Sequence, residues 1–283
     1  MKIRLAAAVA AIAIAIATAA TPAFAQEEES GPITVSGSAA LVSDYRFRGV
    51  SMTDKEMAVQ AGATVSHESG VYVGTWGSNL AGWGTFLGSN MELDIYGGYK
   101  TEISGLTVDV GLTWYMYPGG LDKTDFAEPY VKLSGTAGPA SVLVGVAYAP
   151  KQEALGQWYN SGASAVTGVY DNPGAKADNF YVWTDVAAGI PDTPLTLKAH
   201  VGYTKGGNEG LGPQGTSVSP TGEYVDWMLG ADYVLGPVTL GVSYVDTNIS
   251  DAEAAYLTPN FSSTKDGSSI ASSRVLVSAT VAF

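Results

Sequence analysis

The final stretch of the chain limits its fold more than any other. Residues 274–283 read Arg-Val-Leu-Val-Ser-Ala-Thr-Val-Ala-Phe and stop on an aromatic. Val275, Val277, Ala279, Val281 and Phe283 share one phase of a period-two pattern. Arg274, Ser278 and Thr280 share the other, with Leu276 and Ala282 out of character. Successive strand side chains point to opposite faces, so one face of this strand is apolar and the other mostly polar. A tilted strand of about ten residues is long enough to cross a bilayer.

Residues 1–25 read as a cleaved signal peptide. Lys2 and Arg4 give a basic start, residues 5–17 an unbroken apolar run, and Ala23-Phe24-Ala25 a small-x-small cleavage site. Residues 26–33, with Glu27, Glu28 and Glu29, are expected to form an acidic periplasmic tail, and 34–283 a single domain. Losing the two cations of the leader, Lys2 and Arg4, takes the formal charge from −13 to −15. No later apolar run approaches the ~20 residues of a membrane helix. Cysteine is absent, which removes disulfides, thiol chemistry and thiolate metal sites. Charged residues make up only 14%, against about 25% in soluble domains.

About twelve strand-like segments follow one another, near 34–49, 56–68, 71–78, 91–103, 106–117, 126–137, 140–149, 178–189, 194–204, 223–235, 238–248 and 273–283. Their connectors alternate. Tight turns rich in Gly, Pro, Ser or Asp lie at 69–70, 104–105, 138–139, 190–193 and 236–237. Longer linkers lie at 50–55, 79–90, 118–125, 150–177, 205–222 and 249–272. A soluble sandwich has no reason to alternate in this way. A transmembrane antiparallel up-and-down β-barrel does, because its periplasmic turns are short and its outer loops long. An even strand number puts both termini on the short-turn side.

The side-chain phase agrees. Leu106, Val108, Val110, Leu112, Trp114 and Met116 alternate with Thr107, Asp109, Gly111 and Thr113. Leu195, Leu197, Ala199, Val201 and Tyr203 alternate with Thr196, Lys198, His200 and Gly202. Unpaired amides are prohibitive in hydrocarbon, so such strands must close on themselves. Two interfacial aromatic girdles are expected. Phe47, Trp114, Tyr148, Tyr203 and Tyr244 lie near the loop end, joined by Trp76 if its strand turns Tyr72, Gly74 and Trp76 outward. Tyr99, Tyr233 and Phe283 lie near the turn end.

The polar phase gives candidate pore-lining groups. Asp44, Arg46 and Arg48 share one face of the first strand, opposite Leu41, Tyr45 and Phe47, and the next strand brings Gln60 toward them. The full charged inventory is Asp44, Glu92, Asp94, Asp109, Glu128, Asp185, Asp226 and Asp232 against Arg46, Arg48, Lys100, Lys132, Lys198 and Arg274. This slight acidic excess implies at most weak cation selectivity. The arginines either brace the wall in a carboxylate–guanidinium–amide network or form a basic patch that acts on passing anions.

The run Ser43-Asp44-Tyr45-Arg46-Phe47-Arg48-Gly49-Val50-Ser51, followed by Ala58 and Gln60, resembles the opening signature of the TorF-type porin family. Met57 stands where that family often has proline. The run 71–79 is also similar to the family's third strand, and the C-terminal strand resembles the closing strand of outer-membrane barrels, whose last aromatic serves the assembly machinery. The resemblance implies an outer-membrane barrel and a channel, and leaves the solute open.

These features together point to an outer-membrane porin for small hydrophilic solutes or ions, embedded in lipid. They imply neither a cofactor nor a nucleic-acid partner, the chain being too acidic for the latter. Metal ligation has no histidine cluster to support it. Monomer and homo-oligomer are both compatible with the apolar faces. A non-conducting structural or receptor barrel is the alternative. A lipid hydrolase is less well supported: His67 sits by a short turn, His200 is in mid-strand on the lumen phase, and no G-x-S-x-G elbow occurs. The longest linker, 150–177, carries Trp158, Tyr159, Val166, Val169 and Tyr170. It either folds into the mouth as a constriction or packs over the rim. Deleting residues 154–168 raises single-channel conductance in the first case and leaves it unchanged in the second.

Overall fold

The computed structural model describes residues 31–121, 123–157, 167–207 and 215–283. The leader (1–25), the acidic residues 26–30 of the tail, and Trp158, Tyr159 and Val166 lie outside the described residues. Fourteen strands occur among the described residues: β1 (Ile33–Val42), β2 (Arg46–Phe47), β3 (Val50–Ser51), β4 (Ala58–His67), β5 (Val71–Asn79), β6 (Met91–Ile103), β7 (Leu106–Met116), β8 (Phe126–Ala137), β9 (Ala140–Gln152), β10 (Ala177–Gly189), β11 (Leu195–Gly206), β12 (Glu223–Leu235), β13 (Val238–Thr247) and β14 (Arg274–Ala282). Twelve of them, β1 and β4 to β14, form one closed antiparallel barrel, while β2 and β3 pair only with each other. Among the described residues two short α-helices sit in loops, α1 (Glu153–Gly156) and α2 (Asp251–Leu257). No helix among the described residues is long and apolar enough to cross a membrane.

The seam between first and last strands closes the ladder. Ser38 to Val42 pair with Ala282 to Ser278. Gly37 and Phe283 exchange both backbone hydrogen bonds, at 2.8 and 2.9 Å, carrying the ladder to the last residue. Every barrel strand thus has two hydrogen-bonded neighbours, the condition a sheet must meet where no water can reach its amides.

Side chains obey the alternation read from the sequence. Val73, Ile95, Val110, Val131, Val146, Val201, Leu229 and Val277 all face outward and are exposed, as are many others around the whole circumference. An apolar surface that continuous belongs in hydrocarbon rather than water. Trp114, Tyr148, Tyr244, Tyr99, Tyr233 and Phe283 are exposed on this outer surface, and Tyr203 is half-buried on it.

Inside the wall, large rings are accommodated by glycine on the adjacent strand. Trp183 of β10 lies against Gly145 of β9, where an added Cβ would sit 2.3 Å from the indole. Tyr181 lies similarly against Gly202, Tyr96 against Gly74 and Tyr130 against Gly111. The rings occupy the space left by the missing Cβ atoms. Gly145→Val therefore forces Trp183 off the wall and destabilises the barrel by about 1–3 kcal/mol. Gly189→Ala, with open space around its Cβ, changes stability by less than about 0.5 kcal/mol. Urea unfolding in detergent, read by heat-dependent gel mobility, separates the two.

Candidate functional site

Two expectations fail at the loop end of the lumen. The first strand does not run to Gly49. It leaves the wall after Val42, and the chain folds inward until β4 begins at Ala58. Phe47 is therefore no girdle residue but 5% exposed inside the barrel. Trp76 is likewise internal, because β5 turns Val71 and Val73 outward and Tyr72 and Trp76 inward. Trp76 packs edge-on against Tyr45, with centroids 5.3 Å apart.

The local sequence explains the inward fold. Arg46 pairs with Ser51 and Phe47 with Val50, leaving Arg48 and Gly49 as a two-residue hairpin turn. Both have positive φ, 48° and 79°. Two-residue hairpins prefer left-handed central residues because their twist then matches the strands. Glycine adopts that conformation freely, whereas arginine resists it, so Arg48 must be held by what it touches. Gly49 is also required for space: a Cβ there would lie 2.5 Å from Thr247 Cγ2.

The folded-in hairpin reaches across the lumen. Arg48 Nη2 donates to both carboxylate oxygens of Glu128 on β8, each at 2.7 Å. In the strand order β8 lies almost opposite β1. The Arg48 guanidinium stands 4.1 Å from the centroid of Tyr181 on β10, and its carbonyl accepts from Tyr224 Oη on β12 at 2.9 Å. Tyr45 Oη donates to Glu92 on β6 at 3.0 Å. Asp44 organises the base of the hairpin. It accepts from Arg46 Nε at 2.8 Å, from Ser51 Oγ at 2.5 Å and from Thr53 Oγ1 at 3.2 Å. Arg46 Nη1 in turn donates to the carbonyls of Gly49 and Ser272, both at 2.8 Å.

The other candidates divide by depth. Glu92, Asp94 and Gln60 are buried beside the hairpin, though Gln60 makes no hydrogen bond to either arginine. Asp226 and Asp185 hold His200 between them, at 3.0 and 2.6 Å. Lys198 pairs with Asp232 at 2.7 Å. Asp109 and Lys132 lie toward the short-turn end with Lys100. Arg274 is half-exposed and donates to the carbonyl of Lys55. All the inventoried charges thus face inward, but those at the loop end are packed rather than lining open water. His67 is exposed and bonds Ser69 within its own turn at 2.9 Å. From the longest linker, Leu155 of α1 is 1% exposed and joins the interior cluster with Tyr117, Phe126 and Ala177, while Val169 is exposed.

The family's sequence profile matches residues 26–283. The chain belongs to the Gcw_chp family, bacterial proteins of unknown function. No curated protein matches it in sequence. Among solved structures, the NanC porin is similar over 88% of this chain and 99% of its own, with TM-score 0.52 and 11% identity. A porin refined at 1.8 Å gives 0.41 at 10% identity, over 89% of this chain and 100% of its own. An outer-membrane channel from Pseudomonas putida F1 gives 0.43 at 7% identity, over 88% and 94%. The likeness to the NanC porin is one of fold: a closed, porin-like β-barrel.

In this Gcw_chp barrel the hairpin is tied down from outside by the loop between β13 and β14. Lys265 pairs with Glu56, Thr264 Oγ1 donates to Asp54 at 2.7 Å, and Lys55 Nζ donates to Ser268 Oγ at 2.5 Å. The Lys265 ammonium holds the Glu56 carboxyl below the usual carboxylate range, and Glu56 raises Lys265 in return. Phe261 of the same loop stacks on Trp83, with centroids 4.0 Å apart. Sequence reasoning missed this closure. The Arg-Gly pair between Phe47 and Val50 was its one signal, and alternation across that pair hid it.

Arg48 and Glu128 are both almost fully buried. Breaking a buried pair from one side strands the other charge and costs about 3–5 kcal/mol. Arg48→Met is expected to lose that much in detergent unfolding. Adding Glu128→Gln to it recovers part of the loss, which identifies the stranded carboxylate as the cause.

Proposed function

We propose that this Gcw_chp barrel is an outer-membrane porin of the TorF type. It is a passive route for small hydrophilic solutes and ions, held closed at the loop end by the segment between β1 and β4. The observation that carries this reading is the Arg48–Glu128 pair spanning the lumen. A barrel that only needed filling would be at least as stable with apolar side chains in those positions, since a buried ion pair rarely improves on them. Charged, hydrogen-bonded packing suits a segment that separates from the wall into water. The lumen toward the short turns supports the same reading, being lined by Ser36, Ser38, Thr64, Ser66 and Ser278, none of them buried.

The remaining parts of the reading follow. The apolar belt sits in the lipid of the outer membrane, after export through the leader at 1–25. The C-terminal strand, ending on exposed Phe283, is the element offered to the barrel-assembly machinery. The small acidic excess of the lumen makes the open state at most weakly cation-selective. A homo-oligomer would use part of the apolar belt. We assign no enzymatic activity: His200 is enclosed by Asp185, Asp226 and Tyr181 in the lumen, far from a lipid substrate at the outer rim. The second reading is a sealed structural or receptor barrel. The near-complete burial of Tyr45, Asp44, Arg46 and Arg48 favours it.

Planar-bilayer recording decides between them. The porin reading expects small, infrequent steps from the wild type and more frequent or larger ones from Arg48→Met, with a reversal potential near zero or slightly cation-selective. Silence from both proteins, each shown to be folded by heat-dependent gel mobility, favours the sealed barrel. Strong anion preference would overturn the selectivity.

A further inference from the structure

Below the folded-in hairpin, the short-turn end of the barrel holds a cavity of about 390 Å³. Lys100, Asp109, Lys132 and Ser134 line it, together with the exposed carboxylates Glu68 and Glu102. Lys132 is the anomaly. It is only 5% exposed, yet among the described residues no carboxylate lies within ion-pair reach of its Nζ. Its one close partner is the face of Tyr130, 3.9 Å from the ammonium. Asp109, Asp185 and Glu128 act on it from farther away. A buried ammonium without a counter-ion is costly, and a ring face returns only part of that cost.

The neighbours are arranged around the same gap. Asp109 commits Oδ1 to Tyr72 Oη at 2.5 Å, and Tyr72 bonds Tyr130 at 2.5 Å. Asp109 Oδ2 is buried and accepts no hydrogen bond. Lys100 Nζ stands 4.0 Å from it, at the limit of an ion pair. At the inner end of the cavity two cations therefore share one carboxylate, while Glu68 and Glu102 stand exposed at its turn-side rim.

We propose that Lys132 and Lys100 bind the carboxylate of a small monoanionic solute that enters from the short-turn mouth. This rests on the porin reading only in taking that mouth as reachable by solutes. One carboxylate at the inner end partners the Lys132 ammonium, which Asp109 leaves without an ion pair. A second or third anionic group on the solute would meet Asp109, Glu68 and Glu102, so the cavity selects against multiply charged anions. The site is built into the wall by adjacent strands: Lys100 of β6, Asp109 of β7 and Lys132 of β8 are consecutive partners in register.

Isothermal titration of the folded full-length barrel in nonionic detergent tests this, with sodium lactate and sodium citrate as probes. Lactate is expected to give saturable one-to-one heat. Losing a charged partner weakens binding by about tenfold or more, so Lys132→Met, which keeps side-chain length and the contact with Tyr130, should raise the lactate Kd by that factor. Lys205→Met, at an exposed pair with Glu223, should leave it unchanged. Citrate should bind about tenfold more weakly than lactate. No saturable lactate heat in the wild type overturns the proposal, as does an unchanged Kd in a Lys132→Met protein that keeps its heat-dependent gel shift. Citrate binding as tightly as lactate overturns the selection for a single charge. Titration involves no ion flow, so a silent bilayer trace would remove the porin reading without touching this one.

Discussion

Hydrocarbon offers a backbone amide no hydrogen bond, and the rest of this structure follows from that fact. A strand crossing lipid must find both of its neighbours in the protein. Here the pairing of β1 with β14, extended by Gly37 and Phe283, supplies the last ones. Closure in turn sorts the side chains. Each strand has one face on lipid and one in the lumen, so the molecule is apolar outside and charged inside.

That inversion shapes the interior. A soluble core is filled by aliphatic side chains, but here most of them are committed to the outer belt. The interior is filled instead by tyrosines resting against glycines and by ionisable groups that partner one another. Arg48 is the centre of this arrangement. Its side chain ties β8, its carbonyl is held by β12 and its guanidinium lies on Tyr181 of β10. A left-handed arginine would not be stable in isolation. It persists because three strands of the wall converge on it.

The same physics explains the division of the lumen into two ends. Loops are long on one side only, so only that side has chain to spare for filling the passage. The hairpin, α1 and the loop carrying Phe261 all enter from there. Among the described residues the short-turn end has no such material, and Lys100, Asp109 and Lys132 are left around an open cavity. An acidic lumen overall thus contains two lysines that share one neighbouring carboxylate, which a simple count of charges does not reveal.

The barrel was legible in the sequence for a physical reason. Alternation and turn length are local properties, written at every strand, and closure follows from them once the strands sit in hydrocarbon. The tight turns at 69–70, 104–105, 138–139 and 236–237 join the strands as read, and the inward phase of Asp109, Lys198, Asp226 and Asp232 follows from period two alone. The errors came where local pattern competes with packing. Phe47 keeps the alternation of β1 but leaves the wall. Trp76 is aromatic enough for a girdle, yet Val71 and Val73 take the lipid face. Alternation can tell which residues share a face, but it cannot tell whether the backbone stays in the sheet. Nor can it show which charges across a lumen meet. The Arg48–Glu128 pair depends on the distance between strands far apart in sequence, and only the closed barrel sets that distance.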